Sequence, residues 1–358
     1  MTASRRFLGW SASTLPVAPL LLVGVFLGQQ GLAILSSAAF AVIDPAAPVA
    51  LAALGILAAL DLCERRVAPK LVLAASWQAL ATAAIVGSAL VGALIALAPV
   101  AAEAQWVLPM VAAVSAATSL TLPGRSAEEP LCQAKTLIGA EVVVSVVAGG
   151  VMLAVLHQNS VAGGARLLAQ GVGVCALLAL AGWLLLRPTS SETERRVFVV
   201  ATLLLVGGSA DYMSFSPLLA GLVAGLLWHL LNGNPRETLQ RETAYAQHPF
   251  VVLVLLAAGA RTEISTVTCS LAAGYASVRV VARVASGGSL ERFIPSLPRN
   301  LRFDLIEPGV FGVAFALNVV RAVETSVPGA ALTLSVVVLG TVLSDVMARR
   351  SSFRVGAA

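Results

Sequence analysis

The sequence predicts an all-α polytopic membrane protein of about twelve transmembrane helices. Three observations carry that reading. The chain has 358 residues, of which 58% are hydrophobic and 11% charged, and its mean hydropathy is +0.91. Soluble domains carry about 25% charged residues, so the solvating charge here is less than half the usual share. Apolar runs long enough to cross a bilayer recur between clusters of charge, proline and glycine, and basic residues collect at alternate junctions between them. A disordered, collagen-like or disulfide-stapled secreted chain is excluded. So is a membrane barrel, whose strands alternate over about 10 residues and do not form long apolar runs.

The first six runs cover 16–42, 47–63, 70–98, 104–122, 131–157 and 164–186. Arg5 and Arg6 precede the first, as in a signal peptide. The apolar stretch behind them outruns the 7–15 residues of a cleavable core, so it reads as an uncleaved span. The last six runs cover 196–210, 215–232, 248–261, 265–286, 303–322 and 328–347. The seventh is short for a crossing, which predicts an earlier start or little tilt. Six spans thus fall in residues 1–190 and six in 191–358, the expected halves of an inverted repeat.

Charge placement orients the spans. With the N-terminus in the cytoplasm, the inner junctions hold 18 of the 23 Lys and Arg residues. They are Arg5 and Arg6; Arg65, Arg66 and Lys70; Arg125 and Lys135; Arg187, Arg195 and Arg196; Arg236 and Arg241; Arg292, Arg299 and Arg302; and Arg349, Arg350 and Arg354. The outer loops hold only Arg166, Arg261 and Arg321. A miscount of one span would invert every later loop and erase this asymmetry, so both termini are expected in the cytoplasm.

Charges inside the spans are the exceptions. Ionisable groups cost several kcal/mol in hydrocarbon, so each is by default a functional candidate in need of a partner. Glu141 lies about ten residues into the fifth run, roughly 15 Å deep at 1.5 Å per residue. Arg279, in the tenth run, lies at an overlapping depth and is its expected counter-charge. Arg283, one turn on, is expected to snorkel to the headgroups.

Broken helices are the second signal. The fourth run holds Ser115, Thr118, Ser119 and Thr121 ahead of Pro123, and the eleventh holds Glu307, Pro308, Gly309, Gly312 and Asn318. Hydroxyls replace lost backbone partners in the first, and proline with glycine favours a break in the second. Unwound backbone at membrane depth is tolerated only where it is buried or lines a cavity. Spans four and eleven run in opposite directions in this topology, which is the arrangement of inverted-repeat transporters with a site where two discontinuous helices cross. Half-helix ends supply partial charges at such a site.

These residues resemble the cation:proton antiporter superfamily over about residues 15–347. Ser115-Ala-Ala-Thr118-Ser119 looks like the unwound stretch of that family's first broken helix, and Glu141 falls where the family keeps its ion-binding carboxylate. Ser216-Pro with Gly221 and Gly225, then 257–264, Arg279 and Pro308-Gly309, follow in family order. The pattern departs from the family in having Ala140 before Glu141 and Ser119 where an Asp is frequent. The resemblance implies a secondary transporter exchanging a monovalent cation, Na⁺ or K⁺, for H⁺. Glu141, Thr118, Ser119 and Ser115 would bind the ion or proton, Arg279 would be the counter-charge, and Glu307, Pro308, Gly309 and Asn318 would form the second broken helix. It also implies a homodimer in a bacterial-type inner membrane. An anion or organic-acid carrier of the same fold, with Arg279 as the substrate's counter-charge, is one alternative. A non-transporting membrane scaffold or sensor is the other.

The remaining candidates read as structural. Cys63, Cys132, Cys175 and Cys269 lack metal-ligand spacing and count as small apolar residues. No cofactor, no bound metal beyond the transported ion and no nucleic acid are expected, since the basic residues form no stripe. His157, His229 and His248 sit near span ends, away from any mid-depth nucleophile, so no enzyme is expected. Trp10, Trp77, Trp106, Trp183 and Trp228 read as interfacial anchors. Only about ten residues follow 347, which predicts no attached regulatory domain.

Overall fold

Apolar sequence in hydrocarbon has no water to satisfy its backbone, so each run closes its hydrogen bonds internally as a helix. A computed structural model describes residues 17–35, 43–64, 68–97, 107–119, 129–158, 160–187, 191–231, 234–294, 306, 308–323 and 329–355. Among the described residues there are thirteen helices: α1 (Val17–Leu27), α2 (Ala46–Glu64), α3 (Pro69–Leu97), α4 (Val107–Ala116), α5 (Glu129–Gln158), α6 (Val161–Leu186) and α7 (Glu192–Tyr212) come first. Then follow α8 (Pro217–Leu231), α9 (Asn234–Tyr245), α10 (Gln247–Ala260), α11 (Thr266–Phe293), α12 (Val310–Val323) and α13 (Ala330–Val355). Twelve of them fall on the twelve apolar runs. Five are long and apolar enough to cross a membrane, over Ala46–Cys63, Pro69–Ile95, Gln133–Gln158, Val161–Leu186 and Ala330–Ala348. The chain is a multi-pass, all-helical membrane protein.

Several boundaries move for identifiable reasons. The first helix ends at Leu27, well short of residue 42, because Gly28 to Gly31 turn the chain and Leu32 N donates back to the Phe26 carbonyl at 2.7 Å. The seventh starts at Glu192, earlier than 196, with Glu192 and Glu194 in its first turn, where carboxylates complement the helix dipole. The Ser216-Pro217 pair opens α8: Ser216 Oγ accepts from Leu219 N at 3.3 Å, and proline occupies the first helical position, where no amide is needed. Sequence reading missed α9. Its twelve residues carry no apolar stripe long enough to stand out, and it joins α10 through a 50° bend.

The chain forms two compact units, each drawn from both sequence halves. One comprises residues 1–36, 67–145 and 255–358. Here α11 packs against α3 and α13, and α4 against α3, α12 and α13. The other comprises residues 37–66 and 146–254. Its centre is the α2–α8 pair, where Gly221 lies against the Ala52 carbonyl so closely that a Cβ would collide with it. Small residues allow this approach in membranes, where dispersion rather than hydrophobicity drives helix association. Trp228 belongs to the same interior. It is fully buried and its indole donates to the Ala179 carbonyl at 2.8 Å, so it is a core residue and not the expected interface anchor. Trp77 is 54% exposed, and the Trp183 ring carries the Arg187 guanidinium at 4.7 Å.

Candidate functional site

The site lies within the first unit and grows from the end of α4. A helix leaves its last carbonyls without partners, and in an apolar interior each needs a donor. Here side chains supply them one by one. Ser115 O accepts from Thr118 Oγ1 at 2.9 Å. Ala116 O accepts from Arg283 Nε at 3.0 Å, and Ala117 O from Ser145 Oγ at 3.5 Å. Thr118 O accepts from Arg279 Nη2 at 3.0 Å. Helix termination at Ala116 is thus completed by Thr118 and by two other helices, α5 and α11.

The residues leading into α12 meet the end of α4. Ser119 pairs with Pro308 in an isolated antiparallel bridge, and α12 begins two residues beyond Pro308. Proline lacks an amide and cannot extend a helix backwards, so a short extended segment follows naturally. Ser115 Oγ donates to the Gly312 carbonyl at 3.0 Å. A Cβ on Gly312 would lie 2.7 Å from Ser115 O and 2.8 Å from Thr118 Oγ1, so only glycine lets the two segments approach. Pro308 and Gly309 therefore sit at the meeting point. Asn318 is buried two turns further along α12. Glu307 lies outside the described residues.

Against this opened backbone stands one carboxylate. Glu141, on α5, is 0% exposed. Its partner is Arg283, whose Nη1 is 3.1 Å from both Oε1 and Oε2. Ser119 Oγ donates to Oε2 at 3.4 Å. Arg283 is itself 0% exposed, so the expected snorkelling is overturned. The expected Glu141–Arg279 pairing is corrected as well. Arg279 spends its guanidinium on backbone, with Nη1 donating to Ile306 O at 2.6 Å and Nη2 to Thr118 O. One guanidinium thus holds the Ile306 and Thr118 carbonyls, and the arginine one turn along α11 holds the carboxylate.

The structure therefore brings together Ser115, Thr118, Ser119, Glu141, Arg279 and Pro308. Sequence reasoning passed over Arg283 and Ser145 as site residues. Both had a signal: four residues separate Arg283 from Arg279 and Ser145 from Glu141, the spacing that puts two side chains on one helix face.

Chemically, the cluster joins an acidic group that can bind a proton or a cation to hydroxyls and opened carbonyls that can ligate a hard ion. Its two guanidiniums cannot give up their protons. The chain superposes with a TM-score of 0.65 on the sodium proton antiporter MjNhaP1 from Methanocaldococcus jannaschii, solved at pH 8. The match covers 94% of this chain and 91% of the other at 15% identity, so the likeness is one of fold. No protein-family profile matches the sequence, and no curated protein matches it.

Proposed function

We propose that the protein is a secondary active transporter exchanging a monovalent cation, Na⁺ or K⁺, for H⁺ by alternating access. The observation that carries this reading is the fully buried Glu141, held by Arg283 and Ser119 at the opened end of α4. Glu141 takes either a proton or a cation. When it holds neither, Arg283 neutralises it, so the empty carboxylate never stands bare in a low dielectric. Ser119, with the Ser115 and Thr118 hydroxyls and nearby carbonyls, completes the oxygen shell of a dehydrated ion. Arg279 keeps the two broken segments in register. One titratable carboxylate gives one-for-one, electroneutral exchange.

The reading keeps residues 1–190 and 191–358 as inverted repeats, with α4 and α12 as the crossing discontinuous helices. It takes α9 as a cytoplasmic connector and twelve spans with both termini inside, as the basic residues favour. A bacterial-type inner membrane and a homodimer go with it. The test is exchange in proteoliposomes loaded with a pH-sensitive fluorophore, with Na⁺ or K⁺ added outside. Glu141→Gln abolishes exchange, and a clamped membrane potential leaves wild-type rates unchanged. Full exchange by Glu141→Gln sinks the mechanism; a voltage-dependent rate sinks the stoichiometry.

A second reading has an observation of its own. Two buried guanidiniums face one described carboxylate. In an anion carrier of this fold Arg279 would receive the substrate's charge and Glu141 would be structural. Oxyanion uptake that survives Glu141→Gln and is lost in Arg279→Ala decides for it.

A further inference from the structure

Among the described residues the buried charged side chains are Glu141, Arg279 and Arg283. All three belong to the first unit, so one positive charge is unbalanced even when Glu141 is ionised. Arg279 spends Nη1 and Nη2 on the Ile306 and Thr118 carbonyls. Carbonyl dipoles solvate a cation but do not cancel its charge. Arg283 is less well served. Its Nε donates to Ala116 O and its Nη1 to both oxygens of Glu141, while Nη2 is buried with no partner. A buried donor left without an acceptor costs its desolvation, and more when it carries charge.

The imbalance grows when the site is used. On the exchange reading, on which this inference rests, a proton or a cation neutralises Glu141. Arg283 then loses the only carboxylate it pairs with among the described residues, and both guanidiniums stand uncompensated. Neither can give up its proton, and Arg279 is 1% and Arg283 0% exposed. A water molecule would satisfy the free N–H groups but leave the charge. An anion does both.

We propose that the Nη1–Nη2 edge of Arg283 is a binding site for a small monovalent inorganic anion of the chloride class, filled when Glu141 carries its load. One negative charge arriving with each positive load keeps the net charge of the cluster the same in every state. A dianion costs roughly four times as much to dehydrate, because the Born penalty grows with the square of the charge. The anion accompanies either load, so exchange remains one for one and electroneutral. It is not cargo. That separates this site from the carrier reading, in which Arg279 receives a transported anion and Glu141 is structural.

The test uses Glu141→Gln, whose neutral amide stands in for the loaded carboxylate. Its unfolding midpoint in detergent is followed as choline gluconate is replaced by choline chloride at constant ionic strength, with no transported cation present. The midpoint rises saturably by a few degrees, as expected of a ligand held only by the folded state. Wild type, whose Arg283 already holds a carboxylate, rises by less, and the double variant Glu141→Gln, Arg283→Met does not rise. A second measurement needs no variant: wild-type exchange in proteoliposomes runs faster with chloride on both sides than with gluconate. The factor is on the order of tenfold, the worth of one hydrogen bond to a charged group. A Glu141→Gln midpoint indifferent to chloride, an equal rise in the double variant, or equal exchange rates in the two salts overturns the proposal. Net uptake of radiolabelled chloride without a cation makes the anion cargo and overturns it too. Wild-type protein that exchanges no cation in either salt sinks the exchange reading, whereas the chloride response of Glu141→Gln tests the anion site separately.

Discussion

Arg283→Met, Glu141→Gln and the double variant form a cycle that tests the pairing directly. Both partners are 0% exposed, so neither charge can turn to water when the other is removed. Breaking a buried pair by deleting one side costs about 3–5 kcal/mol, because the survivor is left uncompensated. Each single variant is expected to lose that amount, a drop of roughly 5–15 °C in unfolding midpoint. The double variant leaves neither member of the pair uncompensated. It retains mainly the loss of the Arg283 Nε donor to Ala116 O, worth about 1 kcal/mol. Its stability therefore exceeds that of either single, with a coupling energy of about 5 kcal/mol or more. The assay is the unfolding midpoint of purified protein in one detergent, with the same cycle run on Arg279→Met and Glu141→Gln. Arg279 donates to Ile306 and Thr118 carbonyls, so its loss destabilises but should add to Glu141→Gln within about 1 kcal/mol. Stronger coupling of Glu141 to Arg279 than to Arg283 would refute the assignment.

Other expectations follow from the packing. Gly221→Val forces a side chain into the Ala52 backbone and should cost about 1–3 kcal/mol or more, read as a lower unfolding midpoint. Trp228→Phe keeps the ring volume but strands the Ala179 carbonyl, a loss of about 1–3 kcal/mol with no change in cation KM. Arg241→Gln breaks the contacts to Glu192 at 3.4 Å and Glu242 at 3.1 Å, but the arginine is half exposed, so the midpoint should move by less than about 1 kcal/mol in stability and less still at high salt.

Much of the fold was legible in the sequence because a bilayer imposes one rule on every residue it covers. Each run had to become a helix, and among the described residues each run holds one, five of them long and apolar enough to cross a membrane. Serine before Pro217 and hydroxyls ahead of a break were readable for the same reason, since capping acts within three or four residues. The site's population was readable too: Glu141 and Ser115, Thr118 and Ser119 stand out as polar groups in apolar surroundings. The partners were not. Arg279 and Arg283 lie one turn apart on α11, and depth along a helix cannot tell which of them turns toward α5 and which toward an opened backbone. Helix α9 was missed because its polar sequence reads equally well as a loop.

By itself, the sequence determined that this chain is a multi-pass helical membrane protein and singled out Glu141 as a carboxylate in apolar surroundings. Those conclusions follow from transfer free energies, which depend on residue type and local order alone. Tertiary structure decided the rest: that Ser119 meets Pro308, that Arg279 holds the Thr118 and Ile306 carbonyls, and that Arg283 holds Glu141. Most of these contacts link residues more than a hundred positions apart. They turn on ångström-scale distances between helices, which hydrophobic periodicity does not encode and which only the packed helices, with every buried donor seeking an acceptor, can fix.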